Sequence, residues 1–173
     1  YRLPYPVVRL RSGESEQQVV DRELARLSGA ILDTVSATDV AAVIIELVQG
    51  EGGFKVAPEA YVRGLREICD EHGIILIFDE VQSGFGRTGA WASYEHFGVT
   101  PDLSTWAKSM GGGMPISAVV STESDPARAR ALDATVGMTR NRLPLLARLL
   151  EAPDALFMLP AVATPEAVPR ACP

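Results

Sequence analysis

One lysine and one aspartate in this sequence have the right types and settings to act together on a bound heterocycle. Lys108 begins a glycine-rich turn, which a bulky ligand can approach closely because glycines carry no side chain. A lysine amine attacks carbonyl carbons when a partly desolvated site lowers its pKa. Asp79 ends a predicted buried strand, where a carboxylate is costly unless it meets a positive partner. A protonated pyridine nitrogen would be such a partner.

Taken alone, these two residues also fit a simpler explanation. Lys108 would then be a surface loop lysine, and Asp79 would cap a helix or a strand-end turn. Short motifs often match by chance, so the simpler explanation is favoured until longer strings are compared.

The longer strings carry a family resemblance. Residues 46–53, 79–89, 101–103 and 107–108 closely resemble the class III aminotransferases, and most nearly their 4-aminobutyrate aminotransferase branch. The resemblance covers roughly residues 1–120, and the order and spacing of the motifs are preserved. Several long strings in register are far more specific than a single short motif.

The resemblance implies pyridoxal 5′-phosphate (PLP) as cofactor and assigns roles around it. Lys108 would hold PLP as a Schiff base and would later carry the proton between the substrate α carbon and the cofactor. Asp79 would pair with the pyridinium nitrogen, which keeps the ring protonated and therefore a strong electron sink. Val81 would pack on a ring face, and Gln82 would donate a hydrogen bond near the phenolic oxygen.

Two glutamates are the expected substrate-binding residues. Glu51 resembles the family glutamate that pairs with a substrate-recognition arginine and releases it when the dicarboxylate partner binds. Glu46 would line the same pocket, although a strand-end carboxylate with a structural partner explains it equally well. In the turn that contains Arg87, the glycines favour a turn-stabilising role for this arginine over a phosphate contact.

The elements that must position these residues can be predicted from apolar patterns. Residues 41–45 and 74–78 are continuous apolar runs, typical of strands buried on both faces, and residues 103–107 form a shorter one. A helix opened by Pro58 and closed by Gly73 lies between the first two strands. Because parallel strands end at the same edge of a sheet, Glu46, Asp79 and Lys108 should converge there.

The predicted fold class is therefore α/β, with a mostly parallel sheet and flanking helices, as in the large domain of PLP-dependent transferases. The pattern predicts an incomplete version of that domain. A further surface helix is predicted after Ser15, which can form a capping box with Gln18.

Composition excludes several classes of function. The net charge of −6 offers no basic patch for nucleic acid or an anionic membrane, and no apolar run approaches a membrane span. Cys69 and Cys172 suggest neither a disulfide framework nor a metal site, and Cys69 is predicted to be a core residue. No signal peptide pattern opens the sequence, so a cytoplasmic location is expected.

Residues 121–173 match nothing in the family, which predicts a partial PLP-binding domain over residues 1–120 followed by a divergent, poorly ordered tail. In the family, the phosphate-binding loop and the ring-stacking aromatic residue lie upstream of the segment that Tyr1 begins. The expected function is transfer of an amino group from a primary amine such as 4-aminobutyrate to a 2-oxo acid, impaired in so short a chain. Decarboxylase or aminomutase chemistry on the same fold is one alternative. The other is a non-catalytic fragment that pairs with a full-length homologue, since the family is homodimeric.

Overall fold

Two apolar runs form the central strands, as the sequence predicts. The computed structural model describes residues 1–9, 13–121 and 155–160. Strand β2 (Val40–Ile45) and strand β5 (Ile75–Asp79) are almost entirely buried and pair in parallel. Strand β6 (Leu103–Trp106) pairs in parallel with β5 on its other side. Helix α2 (Glu59–His72) connects β2 to β5, which confirms the predicted strand–helix–strand unit.

Three further strands complete a six-stranded sheet. They are β1 (Arg2–Pro4), β7 (Ala118–Ser121) and β8 (Ala155–Pro160), and the strand order is β1-β8-β2-β5-β6-β7. Because β7 is antiparallel to β6, and β8 is antiparallel to both β1 and β2, four strands run in one direction and two in the other. The sheet is therefore mixed and mostly parallel, which confirms the predicted fold class.

Both long helices begin where the sequence predicts, and α2 also ends where it predicts. Helix α1 (Glu16–Gly29) starts with the capping box between Ser15 and Gln18, in which each side chain accepts a hydrogen bond from the other residue's backbone N–H. Helix α2 follows Pro58 and ends at Gly73, whose φ of 66° lies in the left-handed region that favours glycine.

The helices pack on the central strands to form one hydrophobic core. This core contains alternating residues of β2 and β5 and the apolar faces of both helices, among them Leu27, Val43, Leu65, Leu76 and Phe78. Cys69 is fully buried within it, as predicted. None of the helices in the described ranges has the length and apolar character needed to span a bilayer.

Short elements differ from the prediction in two places. The chain leaves β2 after Ile45 and forms a small hairpin that the sequence did not predict, β3 (Val48–Gln49) with β4 (Lys55–Val56). Residues 91–97, for which the sequence favours a helix, contain only a 3₁₀ turn, Ser93–His96. Further short helical turns span Ala30–Val35, Ala37–Asp39 and Lys108–Gly111.

The predicted tail contributes one strand to the sheet. Within residues 121–173, β8 lies between β1 and β2. Residues 122–154 and 161–173 of the predicted tail, with Cys172, lie outside the described residues. The boundary proposed at residue 120 stays a prediction.

Candidate active site

Three charged residues lie at, or just after, the C-terminal ends of three parallel strands. Glu46 comes directly after β2, Asp79 is the last residue of β5, and Lys108 lies two residues after β6. The register places Asp79 opposite Thr105 of β6. Since parallel strands end at the same edge of the sheet, the fold brings these three residues to one place, as the sequence predicts.

Asp79 is buried, and one of its oxygens is fully engaged. Its side chain is 5% exposed, and Oδ1 accepts hydrogen bonds from the Val81 backbone N–H at 2.9 Å and from Thr105 Oγ1 at 3.0 Å. Burial raises the pKa of Asp79, the two hydrogen bonds oppose that rise, and the charge of Lys108 opposes it further. The turn-stabilising role considered for Asp79 is therefore real, but it occupies only Oδ1.

The other oxygen of Asp79 remains accessible. Within the described part of the chain Oδ2 accepts no hydrogen bond. It is not one of the fully buried polar atoms without a partner, so part of its surface is exposed. A carboxylate held by one oxygen and open at the other is placed to receive a positive group.

Lys108 occupies an unusual backbone conformation at the start of the 3₁₀ turn. Its φ is 43°, in the left-handed region that residues other than glycine rarely adopt. Its Nζ donates a hydrogen bond to Gln82 Oε1. Backbone strain at a non-glycine residue often marks a functional position. Lys108 is nevertheless exposed, so its role as the cofactor-holding lysine stays a prediction.

Glu46 lies within the electrostatic influence of the other site residues. Its Oε2 accepts a hydrogen bond from the Gly50 N–H at 3.1 Å. Burial raises the pKa of Glu46, the hydrogen bond from Gly50 lowers it, and the negative charges of Asp79 and Glu51 raise it again, whereas Lys108 lowers it. Both explanations offered for Glu46 thus have support, because it has a structural partner and also faces the site.

The other predicted residues lie on the loops around Asp79, Lys108 and Glu46. The Glu51 side chain is exposed and lies near enough to Glu46 to affect its pKa. Val81 contributes its backbone N–H to Asp79, and its side chain is half-buried. Arg87 donates a hydrogen bond to Ser109 Oγ at 3.2 Å, which links its turn to the turn of Lys108. That contact agrees with the turn-stabilising role.

Glu80 organises the loop after β5, which sequence reasoning missed. It is 1% exposed and accepts four hydrogen bonds, from Ser83 Oγ, the Ser93 N–H and Oγ, and the Tyr94 N–H, at 2.7–3.1 Å. The signal was a second acidic residue directly after a buried strand, because a buried carboxylate requires several donors.

Aromatic contacts also stabilise the loop after β5. The Phe85 ring lies 4.7 Å from that of Trp91 and 5.2 Å from that of Trp106, in the latter case edge to face. Trp91 is 65% exposed, whereas Phe97 belongs to the core. Among the described residues no group of three or more His, Cys, Asp or Glu side chains is arranged to hold a metal ion.

Known aminotransferases are similar to this chain in sequence. A succinylornithine transaminase of Citrobacter koseri is 60% identical over 107 residues, which cover 62% of this chain and 25% of the relative. A 5-aminovalerate aminotransferase of Pseudomonas aeruginosa is 50% identical over 99 residues, covering 57% and 23% of the two chains. Neither is a 4-aminobutyrate aminotransferase, so that finer expectation stays a prediction.

Solved structures agree in fold. An amine transaminase from an uncultivated Pseudomonas species, solved in its PLP-bound form, is 35% identical with a TM-score of 0.64, covering 75% of this chain and 29% of that one. The chain thus spans about a quarter of the length of each of these relatives. The family profile described as "Aminotransferase class-III" matches residues 1–137, past the residue 120 at which the sequence resemblance was expected to end. By that match the chain belongs to the class III aminotransferases.

Proposed function

We propose that this chain supplies the cofactor-holding lysine and aspartate of an aminotransferase that moves an amino group from a terminal primary amine to a 2-oxo acid. Family membership implies PLP as the cofactor. The observation that carries the proposal is the placement at one sheet edge of a lysine amine, Lys108, near a buried carboxylate that keeps one oxygen accessible, Asp79.

The chemistry of the donor set fits PLP. The cofactor needs an amine for its aldehyde and an anion for its ring nitrogen, and Lys108 and Asp79 are of those types. Oδ2 of Asp79 is the oxygen left for a ring N–H, because Oδ1 already accepts from Val81 and Thr105. When bound, the cofactor supplies an electron sink for the carbon that carries the amino group.

The residues of this chain then have distinct tasks. Asp79 keeps a negative charge in a buried place, and Thr105 with the Val81 backbone holds it in orientation. Gln82 holds the Lys108 amine by a hydrogen bond. Lys108 Nζ would take a proton from the substrate carbon as a general base and would deliver it to the cofactor as a general acid. The Val81 side chain is proposed to pack against the ring.

Two acidic residues are proposed to bind substrate. Glu46 is partly buried and lies near enough to both Lys108 and Glu51 for their charges to affect its pKa. Negative charge there would attract a cationic substrate amine or a recognition arginine. The similarity to a 5-aminovalerate and to a succinylornithine aminotransferase supports donors with a terminal primary amine, of which 4-aminobutyrate is one.

Reductive trapping tests the proposal directly. The purified chain is incubated with PLP, reduced with borohydride and mapped by mass spectrometry. The sequence contains one other lysine, Lys55, which serves as an internal control. We expect the pyridoxyl group on Lys108, and we expect Lys108→Ala to abolish it while Lys55→Arg leaves it unchanged.

A second variant tests the carboxylate. Asp79→Asn should weaken PLP affinity by about tenfold or more, because it removes a charge-assisted hydrogen bond in a buried setting. Asp21→Asn, at an exposed position of α1, is the matched control. Equal labelling of Lys55 and Lys108, or a PLP affinity indifferent to Asp79, would count against the proposal and favour a non-catalytic partner chain.

A further inference from the structure

Gly50 lies beside two residues of the candidate site, Glu46 and Gln82. Its backbone N–H donates to Glu46 Oε2 at 3.1 Å. A Cβ atom added to Gly50 would lie 2.5 Å from Gln82 Cγ and 3.1 Å from Gln82 Cδ. Real Cβ atoms essentially never approach a neighbour as closely as 2.5 Å, so any side chain at this position would displace Gln82.

The backbone of Gly50 does not itself require glycine. Gly50 is absent from the glycines with positive φ, whereas Gly53 in the same loop has a φ of 91°. An alanine could therefore adopt the backbone conformation of Gly50, but its Cβ atom would not fit beside Gln82. The reason for glycine at this position is the approach of the Gln82 side chain.

Gln82 in turn contacts the site lysine. Its Oε1 accepts the hydrogen bond that Lys108 Nζ donates. Since Gln82 Cγ and Cδ are the atoms that lie against Gly50, displacing them would carry Oε1 away from the amine. One glycine in the loop after β3 thus controls the position of an amide on the neighbouring loop.

We propose that Gly50 is a positioning residue for Lys108, which acts through Gln82 by leaving room for its side chain. The value of this positioning for catalysis rests on the proposed function, but the contact itself does not. Any larger residue at position 50 frees the Lys108 amine from its acceptor.

Competitive acetylation of the chain without cofactor measures this effect. Trace acetic anhydride modifies neutral amines, and peptide mapping gives the labelling ratio of Lys108 to Lys55 within each molecule. The hydrogen bond to Gln82 Oε1 holds the amine and competes with its reaction, so losing it should increase that ratio, by about two- to tenfold for a bond of ordinary strength. We expect this increase in Gly50→Ala and in Gln82→Ala.

The double variant, Gly50→Ala with Gln82→Ala, tests whether Gly50 acts through Gln82. If Gly50 acts through Gln82, Gly50→Ala should add nothing once Gln82 is alanine, and the double variant should equal Gln82→Ala. Gly64→Ala is the matched control. Gly64 lies in α2, away from the site, and a Cβ there would also press on a neighbouring side chain, that of Leu24 in α1. We expect this control to leave the ratio unchanged.

Three results would overturn the proposal: an unchanged ratio in Gly50→Ala, additive effects in the double variant, or an equal rise in Gly64→Ala. If Gly50→Ala loses its fold, shown by modification of the buried Cys69 thiol, Gln82→Ala should restore it, and failure to do so also overturns the proposal. Because no PLP is present, these outcomes are independent of whether trapping at Lys108 succeeds.

Discussion

Asp79 and Thr105 face each other on neighbouring parallel strands, and the threonine hydroxyl donates to Asp79 Oδ1 at 3.0 Å. This hydrogen bond favours the ionised form of a carboxylate that burial disfavours. The same bond turns the carboxylate so that Oδ2 stays accessible. One hydroxyl therefore adjusts both the charge and the orientation of Asp79.

Replacing Thr105 by valine should raise the pKa of Asp79 further. The variant keeps the shape of the side chain and removes only the donor, so the free energy of unfolding at neutral pH should fall by about 1 kcal/mol. Carboxyl ¹³C NMR of labelled aspartate follows the titration of Asp79, and urea denaturation gives the stability. Thr105→Ser keeps the hydroxyl and should behave like the parent chain. Equal titration curves for the valine and serine variants would show that the hydroxyl does not act on Asp79.

The cofactor-free chain should become more stable as the pH falls. Asp79 and Glu46 both have pKa values raised by burial, so each binds protons more tightly in the folded state than in the unfolded chain. Their contribution is fully present below the unfolded pKa, which is about 4 for a carboxyl group, and is lost as the pH rises through the raised folded values.

Urea titrations at a series of pH values measure this dependence. Asp79→Asn should flatten the curve over the window between the ordinary and the raised carboxyl pKa, because it removes one of the two groups. Asp21→Asn, at an exposed position of α1 away from both groups, is the control and should leave the slope unchanged. A stability that rises with pH across that window in the parent chain would contradict the expected sign.

Glu80 should matter more for the fold than for ligand binding. Glu80→Ala removes an acceptor of four hydrogen bonds and leaves buried donors on Ser93 and Tyr94 without a partner. We expect the free energy of unfolding to fall by about 3 kcal/mol. Glu95→Ala removes an exposed carboxylate that accepts one bond, from Ala92, and should cost less than about 1 kcal/mol. Similar losses in the two variants would argue against the organising role of Glu80.

The fold and the meeting of the charged residues were predictable for specific reasons. Continuous apolar runs produce buried parallel strands, and Pro58 and Gly73 have backbone preferences that begin and end a helix. Once the strands are parallel, the rule that they end at one edge brings Glu46, Asp79 and Lys108 together. Each of these inferences depends on local residue patterns or on topology alone.

Other features depend on contacts between distant residues and leave no local pattern. Glu80 finds its donors at Ser93, 13 residues later, and Gly50 lies against the side chain of Gln82, 32 positions away. The pairing of β8 with β1 and β2 joins the two ends of the described chain. A single sequence shows a glycine or an acidic residue at such positions, but not the neighbour that explains it.

The backbone of Lys108 should carry a measurable cost. A non-glycine residue with a φ of 43° is less stable than glycine there by about 1 kcal/mol, because its Cβ crowds the backbone. Lys108→Gly should therefore be more stable than Lys108→Ala by about that amount, although both variants lack the amine. Ser109→Gly against Ser109→Ala, one residue later and outside the positive-φ positions, should show the opposite order, since alanine restricts the unfolded chain more than glycine. Thermal or urea unfolding of the four variants without cofactor gives both differences. If alanine were the more stable at position 108 as well, the strained conformation would not exist in solution, and the placement of the lysine would owe nothing to its backbone.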